Sequence, residues 1–327
     1  MSSFSRAWTQ FHPPKPTYTE KNIPDLHGKV YIVTGANTGI GKEVARILYT
    51  KHAKVYAAGR SPDKTARAIE DIKKSAPESK GALVFLQLDL ADLSGIKASV
   101  GRFLAQETKL HVLFNNAGLM GSDPLRKTAQ GYELTLGVNC VGTFLFTKLL
   151  TPVLAATAKT EPPAAVRVVW LSSYGLESYG VPDVGVPLDN LDYHEPKAYI
   201  DRYGISKAGV WALGAEFARR HKADGIVSVP INPGNLRTEL ARDATKALRF
   251  IAGLVVYPVV NGAYTELFAG LSPEITMEKT GSWIIPFGRF YPLRPDLEKA
   301  TKLEAEGGTG GNYKFWEWNE DQVKSYL

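Results

Sequence analysis

A run of β-branched and aromatic residues, Val30-Tyr31-Ile32-Val33-Thr34, stops at Gly35, and an amphipathic helical pattern takes over as far as Leu48. No other stretch constrains the fold as tightly. The glycines stand in the spacing Gly35-x-x-x-Gly39-x-Gly41. Gly35 permits a sharp turn, while Gly39 and Gly41 let the backbone approach a pyrophosphate and let the helix pack closely on its strand. The first amides of such a helix carry partial positive charge and face any anion placed there. Gly35, Asn37, Thr38, Gly39, Ile40 and Gly41 are therefore candidates for holding a dinucleotide, the alternative being a plain strand-to-helix turn.

The unit repeats along the chain. Strand character returns at Lys54–Gly59, Leu83–Asp89, Val112–Phe114, Val166–Leu171 and Ile226–Ile231. Helical patterns separate these runs: one opens at Ser61-Pro62, one is capped by Asp92, and others cover roughly Ala129–Leu154 and Tyr203–Arg220. Such alternation predicts an α/β fold, a Rossmann-type doubly wound parallel sheet with helices on both faces, in a single domain. Ligands of these sheets bind beyond the carboxyl ends of the strands, and the glycine turn, Asn115-Asn116-Ala117-Gly118, Ser172-Ser173 and Asn232-Pro233-Gly234 all fall at such ends. We assign residues 1–27 to an irregular N-terminal arm, because Pro13, Pro14 and Pro16 argue against a helix, and 28–306 to the Rossmann domain. Residues 307–327 read as a glycine-rich flexible linker and an aromatic tail that either docks on the body or serves as a substrate lid or partner contact.

Bulk properties exclude several classes. With 327 residues, 44% hydrophobic and 22% charged, the chain is ordinary globular material. Its single cysteine, Cys140, forbids an internal disulfide and suits a reducing, cytoplasmic setting. The net charge of +6 is dispersed, with no block that suggests nucleic-acid binding. The longest apolar run, Phe250–Val260, is too short to span a membrane, and the N-terminus lacks a signal-peptide pattern. The six histidines show no metal spacing, so no metal is expected.

Chemistry points to Tyr203 and Lys207, four apart on one helix face. An ammonium near a phenol favours the phenolate and brings its proton into working range. Ser172 or Ser173, at the end of a neighbouring strand, could hold a substrate carbonyl oxygen. With 15 tyrosines a Tyr-x-x-x-Lys pair is expected about once by chance, and Tyr193–Lys197 is such a pair, but Pro196 inside it breaks the helix it needs. Ser173 lacks a Gly-x-Ser-x-Gly elbow, which argues against a serine hydrolase. At the end of the second strand Gly59 stands where an NAD enzyme carries a carboxylate. Arg60 and Ser61 follow, a set that suits the 2′-phosphate of NADP.

Taken together, Thr34-Gly35-x-x-x-Gly39-x-Gly41, Asn115-Asn116-Ala117-Gly118, Asn139, Ser172-Ser173, Tyr203-x-x-x-Lys207 and Pro233-Gly234 resemble the motif series of the short-chain dehydrogenase/reductases, in order, over about residues 28–290. The likeness is to the single-sheet branch and its fungal retinol-dehydrogenase-like members. It implies Tyr203 as proton donor or acceptor, with Lys207 on the nicotinamide ribose and lowering the Tyr203 pKa. It also implies Asn139 in a water-linked relay, and Ser173 rather than Ser172 as the catalytic serine. By the same resemblance Asp89 and Leu90 border the adenine, while Asn116, Ala117 and Gly118 floor the cofactor. Pro233, Gly234, Leu236 and Thr238 complete its site. The gap of 30 positions from Ser173 to Tyr203 is longer than usual in the family, because of the Glu177–Ala198 segment.

The expected function is an NADP(H)-dependent oxidoreductase for a hydrophobic or aromatic ketone, aldehyde or secondary alcohol, in secondary or lipid-like metabolism. Substrate contacts are expected from Met120–Leu125, from Glu177–Tyr199, and from Leu236, Leu240, Phe250 and Tyr257. Alternatives are an epimerase or other rearrangement enzyme of the same fold, or an NADP-sensing protein without turnover. A homodimer is left open.

Overall fold

The computed structural model describes residues 2–121, 123, 125–237 and 256–327. Six strands run parallel: β1 (Val30–Thr34), β2 (Lys54–Gly59), β3 (Ala82–Gln87), β4 (Val112–Asn115), β5 (Val166–Leu171) and β6 (Ile226–Ile231). Two further strands that the sequence reading lacks, β7 (Ile284–Ile285) and β8 (Arg289–Phe290), extend the edge, β7 parallel to β6 and β8 antiparallel to β7. Each has only two residues, too few for a periodic signal. The order across the sheet is β3-β2-β1-β4-β5-β6-β7-β8. The chain winds outward in both directions from β1, so a crevice opens between β1 and β4 at their carboxyl ends.

Both sheet faces are covered, which is why the central strands read as unbroken apolar runs. Side chains alternate across the sheet. Tyr31 and Val33 join α2 (Gly39–Thr50), α3 (Pro62–Ser75) and the helix at Val259–Leu271 on one face. Ile32 joins α4 (Leu93–Leu104), α5 (Leu134–Ala158), the helix at Tyr199–His221 and the C-terminal helix on the other. By length and hydropathy α5 is the described helix that matches a membrane span, but it is largely buried and packs against α4 and the sheet as a core helix. It begins at Leu134 rather than near Ala129, and its first turns include a π-helical stretch, Gly137–Gly142.

The N-terminal arm needs correcting. Ser3–Phe11 is a helix, α1, capped by the Ser2 hydroxyl, which accepts from the Ser5 amide at 3.3 Å. Pro13, Pro14 and Pro16 follow it, so they terminate a helix instead of preventing one. The aromatic tail is docked: α10 (Gly311–Val323) buries Phe315 and Trp316 against Phe144 and Phe217. Between them in the chain come α6 (Gly175–Tyr179), α7 (Tyr199–His221), α8 (Val259–Leu271) and α9 (Pro295–Thr301). The long segment after α6 folds back over α7, with Val186 and Leu191 buried in the same core.

Candidate active site

At the end of β1 the backbone turns through Gly35, whose φ of +69° is a left-handed value that favours glycine. Thr34 and Asn116 tie this turn to the end of β4. The Ala117 amide donates to Thr34 Oγ1 at 2.8 Å, and Asn116 Nδ2 donates to the Thr34 carbonyl at 2.7 Å. A Cβ on Gly41 would lie 2.4 Å from Asn116 Nδ2, so that glycine is demanded by close approach. A Cβ on Gly39, by contrast, would meet nothing within 4 Å. Thr38 caps α2 with no side-chain hydrogen bond to its first amides, which leaves those donors to an anion. Asn37 and Ile40 flank this opening; Ile40 packs beside Leu236 at Gly262.

Gly59 ends β2, and Arg60 beyond it is exposed and makes no ion pair among the described residues. Ser61 caps α3 by accepting from the Lys64 amide at 3.4 Å. Asp89 Oδ1 accepts from the Ala91 amide at 2.9 Å, and Leu90 is buried behind it. The exposed Arg60 cation, the free helix amides and the open space at Gly39 fit a dinucleotide.

Lys207 Nζ donates to the Leu171 carbonyl at 2.6 Å and lies 5.7 Å from the centre of the Tyr203 ring. A Cβ on Gly118 would stand 3.1 Å from the same ammonium, which places the β4 turn against it. The two serines separate cleanly. Ser172 is buried and donates to the Lys207 carbonyl at 2.6 Å, a structural bond. Ser173 is partly exposed, accepts from the Gly175 amide at 2.9 Å and hydrogen-bonds the Tyr203 phenol. Asn139, held in the π-helical turn, clamps Leu119 through both backbone groups, at 3.0 and 3.1 Å. Its Nδ2 also donates to Ser206 Oγ at 2.9 Å, and Ser206 donates on to the Tyr203 carbonyl at 2.7 Å. Ser206 was missed from the sequence, although it shares the Tyr203 helix one residue before Lys207.

Electrostatics differ from the expectation. Burial pushes the Tyr203 phenol up to about 12, with the Ser173 hydrogen bond pulling the other way. Burial also draws Lys207 down to about 8, opposed by Cys140 and by Glu266. The side chains by themselves therefore hold Tyr203 as a neutral phenol instead of lowering its pKa. Glu266, on α8, was likewise missed; it is fully buried, with both oxygens lacking a hydrogen-bond partner among the described residues. Burial shifts the Cys140 thiol upward, so it is not a nucleophile.

Gly234, with φ of +94°, donates its amide to Asn232 Oδ1 at 3.0 Å after Pro233. Leu236 pairs with Tyr257 in a parallel bridge. Thr238, Leu240 and Phe250, together with Ser122 and Pro124 of the 120–125 stretch, lie outside the described residues.

A family model described as short chain dehydrogenase matches residues 29–174. Over 100% of its length the chain is 54% identical to a short-chain dehydrogenase/reductase of Phomopsis amygdali, of which it covers 98%. It is 51% identical to another from Neocamarosporium betae, over 99% of this chain and 94% of that one. An NADPH-bound carbonyl reductase from chicken fatty liver shares the fold, with a TM-score of 0.63 at 20% identity over 84% of this chain and 97% of that one. A 3-oxoacyl-[acyl-carrier protein] reductase from Brucella melitensis in complex with NAD aligns with a TM-score of 0.60 at 26% identity, over 80% and 96%.

Proposed function

The chain belongs to the short-chain dehydrogenase/reductase family, and on that premise we propose that it is an NADP(H)-dependent oxidoreductase acting on a hydrophobic or aromatic ketone or aldehyde, or on the corresponding secondary alcohol. The observation that carries the reading is the meeting of the Ser173 hydroxyl, the Tyr203 phenol and the Lys207 ammonium beside an anion-ready helix start. Bound NADPH would supply the reducing equivalent. Ser173 donates a hydrogen bond to the carbonyl oxygen and fixes its position. Tyr203, neutral by burial, gives that oxygen a proton as negative charge develops on it. Lys207 keeps positive charge beside the phenol, so that the proton leaves and returns more easily. Asn139 and Ser206 hold the Tyr203 turn of α7 against the β4 loop.

Arg60 supports NADP over NAD. The end of β2 offers a free guanidinium and no carboxylate to a ribose 2′-hydroxyl. The lone, buried Cys140 suits a reducing cytoplasm. Titration of the purified protein with NADPH and NADH, followed by quenching of tryptophan fluorescence, tests the reading. Tight NADPH binding with turnover of apolar ketones supports it; binding of neither cofactor sinks it.

A further inference from the structure

Helix α1 is built inside out. Arg6 and Gln10, four residues apart on one face, are 6% and 3% exposed, whereas Phe4 and Trp8 on another face are 75% and 58% exposed. Buried polar groups are as a rule hydrogen-bonded, and these are. Arg6 meets the Glu177 carboxylate with two hydrogen bonds of 2.8 Å and donates to the Pro292 carbonyl at 2.9 Å. Gln10 Nε2 donates to Glu177 Oε1 at 2.9 Å, and Gln10 Oε1 accepts from Asn232 Nδ2 at 2.9 Å.

The direction of this chain of bonds is forced. An ionised carboxylate only accepts, so Gln10 must present its amide nitrogen to Glu177 and its oxygen to Asn232. Asn232 then turns its own oxygen to the Gly234 amide, at 3.0 Å. Glu177 follows Ser173 by four residues, in α6, and Asn232 directly precedes Pro233-Gly234. Gln10 thus bridges the loops that leave β5 and β6, both at the ligand-binding ends of their strands. The end of the helix is pinned as well. The Phe11 ring meets Tyr174 edge-on at 4.8 Å, one residue from Ser173, and the Tyr257 hydroxyl donates to the Phe11 carbonyl at 3.2 Å.

We propose that α1 is a built-in wall of the substrate compartment, in which Gln10 is a positioning residue that fixes the spacing of the β5 and β6 loops and the Phe11–Tyr174 pair receives the apolar or aromatic substituent of the carbonyl substrate. The substrate part rests on the oxidoreductase reading; the clamp stands on the hydrogen bonds alone.

The test uses the full chain with Gln10→Ala, Phe11→Ala and, as an outward-facing control, Trp8→Ala. With NADPH and the series acetone, acetophenone and acetonaphthone, Gln10→Ala and Phe11→Ala raise KM for the two aryl ketones by about tenfold or more and leave kcat within about twofold, while Trp8→Ala behaves as wild type. Amide hydrogen exchange gives a readout that needs no turnover. In Gln10→Ala, residues 174–180 and 232–237 exchange faster together, about tenfold or more, with the central strands unchanged. Equal losses for acetone and the aryl ketones would overturn the substrate wall, and unchanged exchange in both loops would overturn the clamp. Faster exchange in a protein whose wild type turns over no carbonyl or alcohol would uphold the clamp and sink the oxidoreductase reading and the substrate wall with it.

Discussion

The Lys207 ammonium sits 5.7 Å from the centre of the Tyr203 ring while giving its 2.6 Å hydrogen bond to the Leu171 carbonyl. The strand end therefore anchors the cation, and the cation stands beside a phenol whose own hydrogen bond is to Ser173. Tyr203→Phe removes the one proton this arrangement can deliver and leaves the ring in place. Turnover should fall by about 10²–10⁴, with NADPH affinity unchanged, in steady-state assays paired with fluorescence titration. Full activity in this variant would falsify the catalytic role.

Burial draws Lys207 down to about 8. Ketone reduction should hold steady from about pH 6 to 7 and decline on a single ionisation near 8, as the charge beside Tyr203 is lost. A pH profile of kcat/KM measures this, and a flat profile through about pH 9 would remove Lys207 from that role.

Glu266 controls stability in the opposite sense to a surface carboxylate. Burial pushes it up to about 8, with Lys207 pulling the other way, so the fold holds a proton that the unfolded chain has released. Its contribution is fully present below an unfolded value of about 4.3 and is lost as pH rises through about 8. Gln copies the protonated form at every pH. Glu266→Gln should match wild type at about pH 4 and melt a few degrees higher at about pH 8 and above, by scanning calorimetry. A Tm difference independent of pH would show that Glu266 is already ionised in the fold.

Arg60→Ala should weaken NADPH binding by about tenfold or more and leave NADH nearly unaffected, because only the former has a 2′-phosphate to lose a partner. Conversion to NAD by Gly59→Asp alone should fail. A Cβ there would come within 2.9 Å of Thr65 Oγ1, so relief at Thr65 has to accompany it. Paired titrations of each variant give the ratio directly.

Gly41→Ala should destabilise the protein by about 1–3 kcal/mol and weaken both cofactors, since its methyl would press on Asn116 Nδ2 at 2.4 Å and on the Gly35 carbonyl at 2.7 Å. A lowered urea midpoint with an unchanged m-value is the expected result.

Much was written along the chain itself. The apolar runs of β1 to β6, the turns at their carboxyl ends and the i, i+4 pair on α7 are local patterns, and local patterns are what period and spacing encode. The sequence by itself thus determined the doubly wound α/β sheet and nominated Gly35, Asn139, Tyr203 and Lys207. The family likeness favoured Ser173 over Ser172, but only the tertiary structure supplied the physical reason, because one hydroxyl meets the Lys207 carbonyl from 35 positions away and the other meets a phenol on the same helix. It also decided that α1 is a helix with its polar face inward, since Arg6 and Gln10 find partners 171, 167 and 222 positions along the chain. The pKa of Tyr203 belongs to the same class. Spacing puts a lysine beside the phenol, but burial, a property of everything packed around it, sets the sign of the shift.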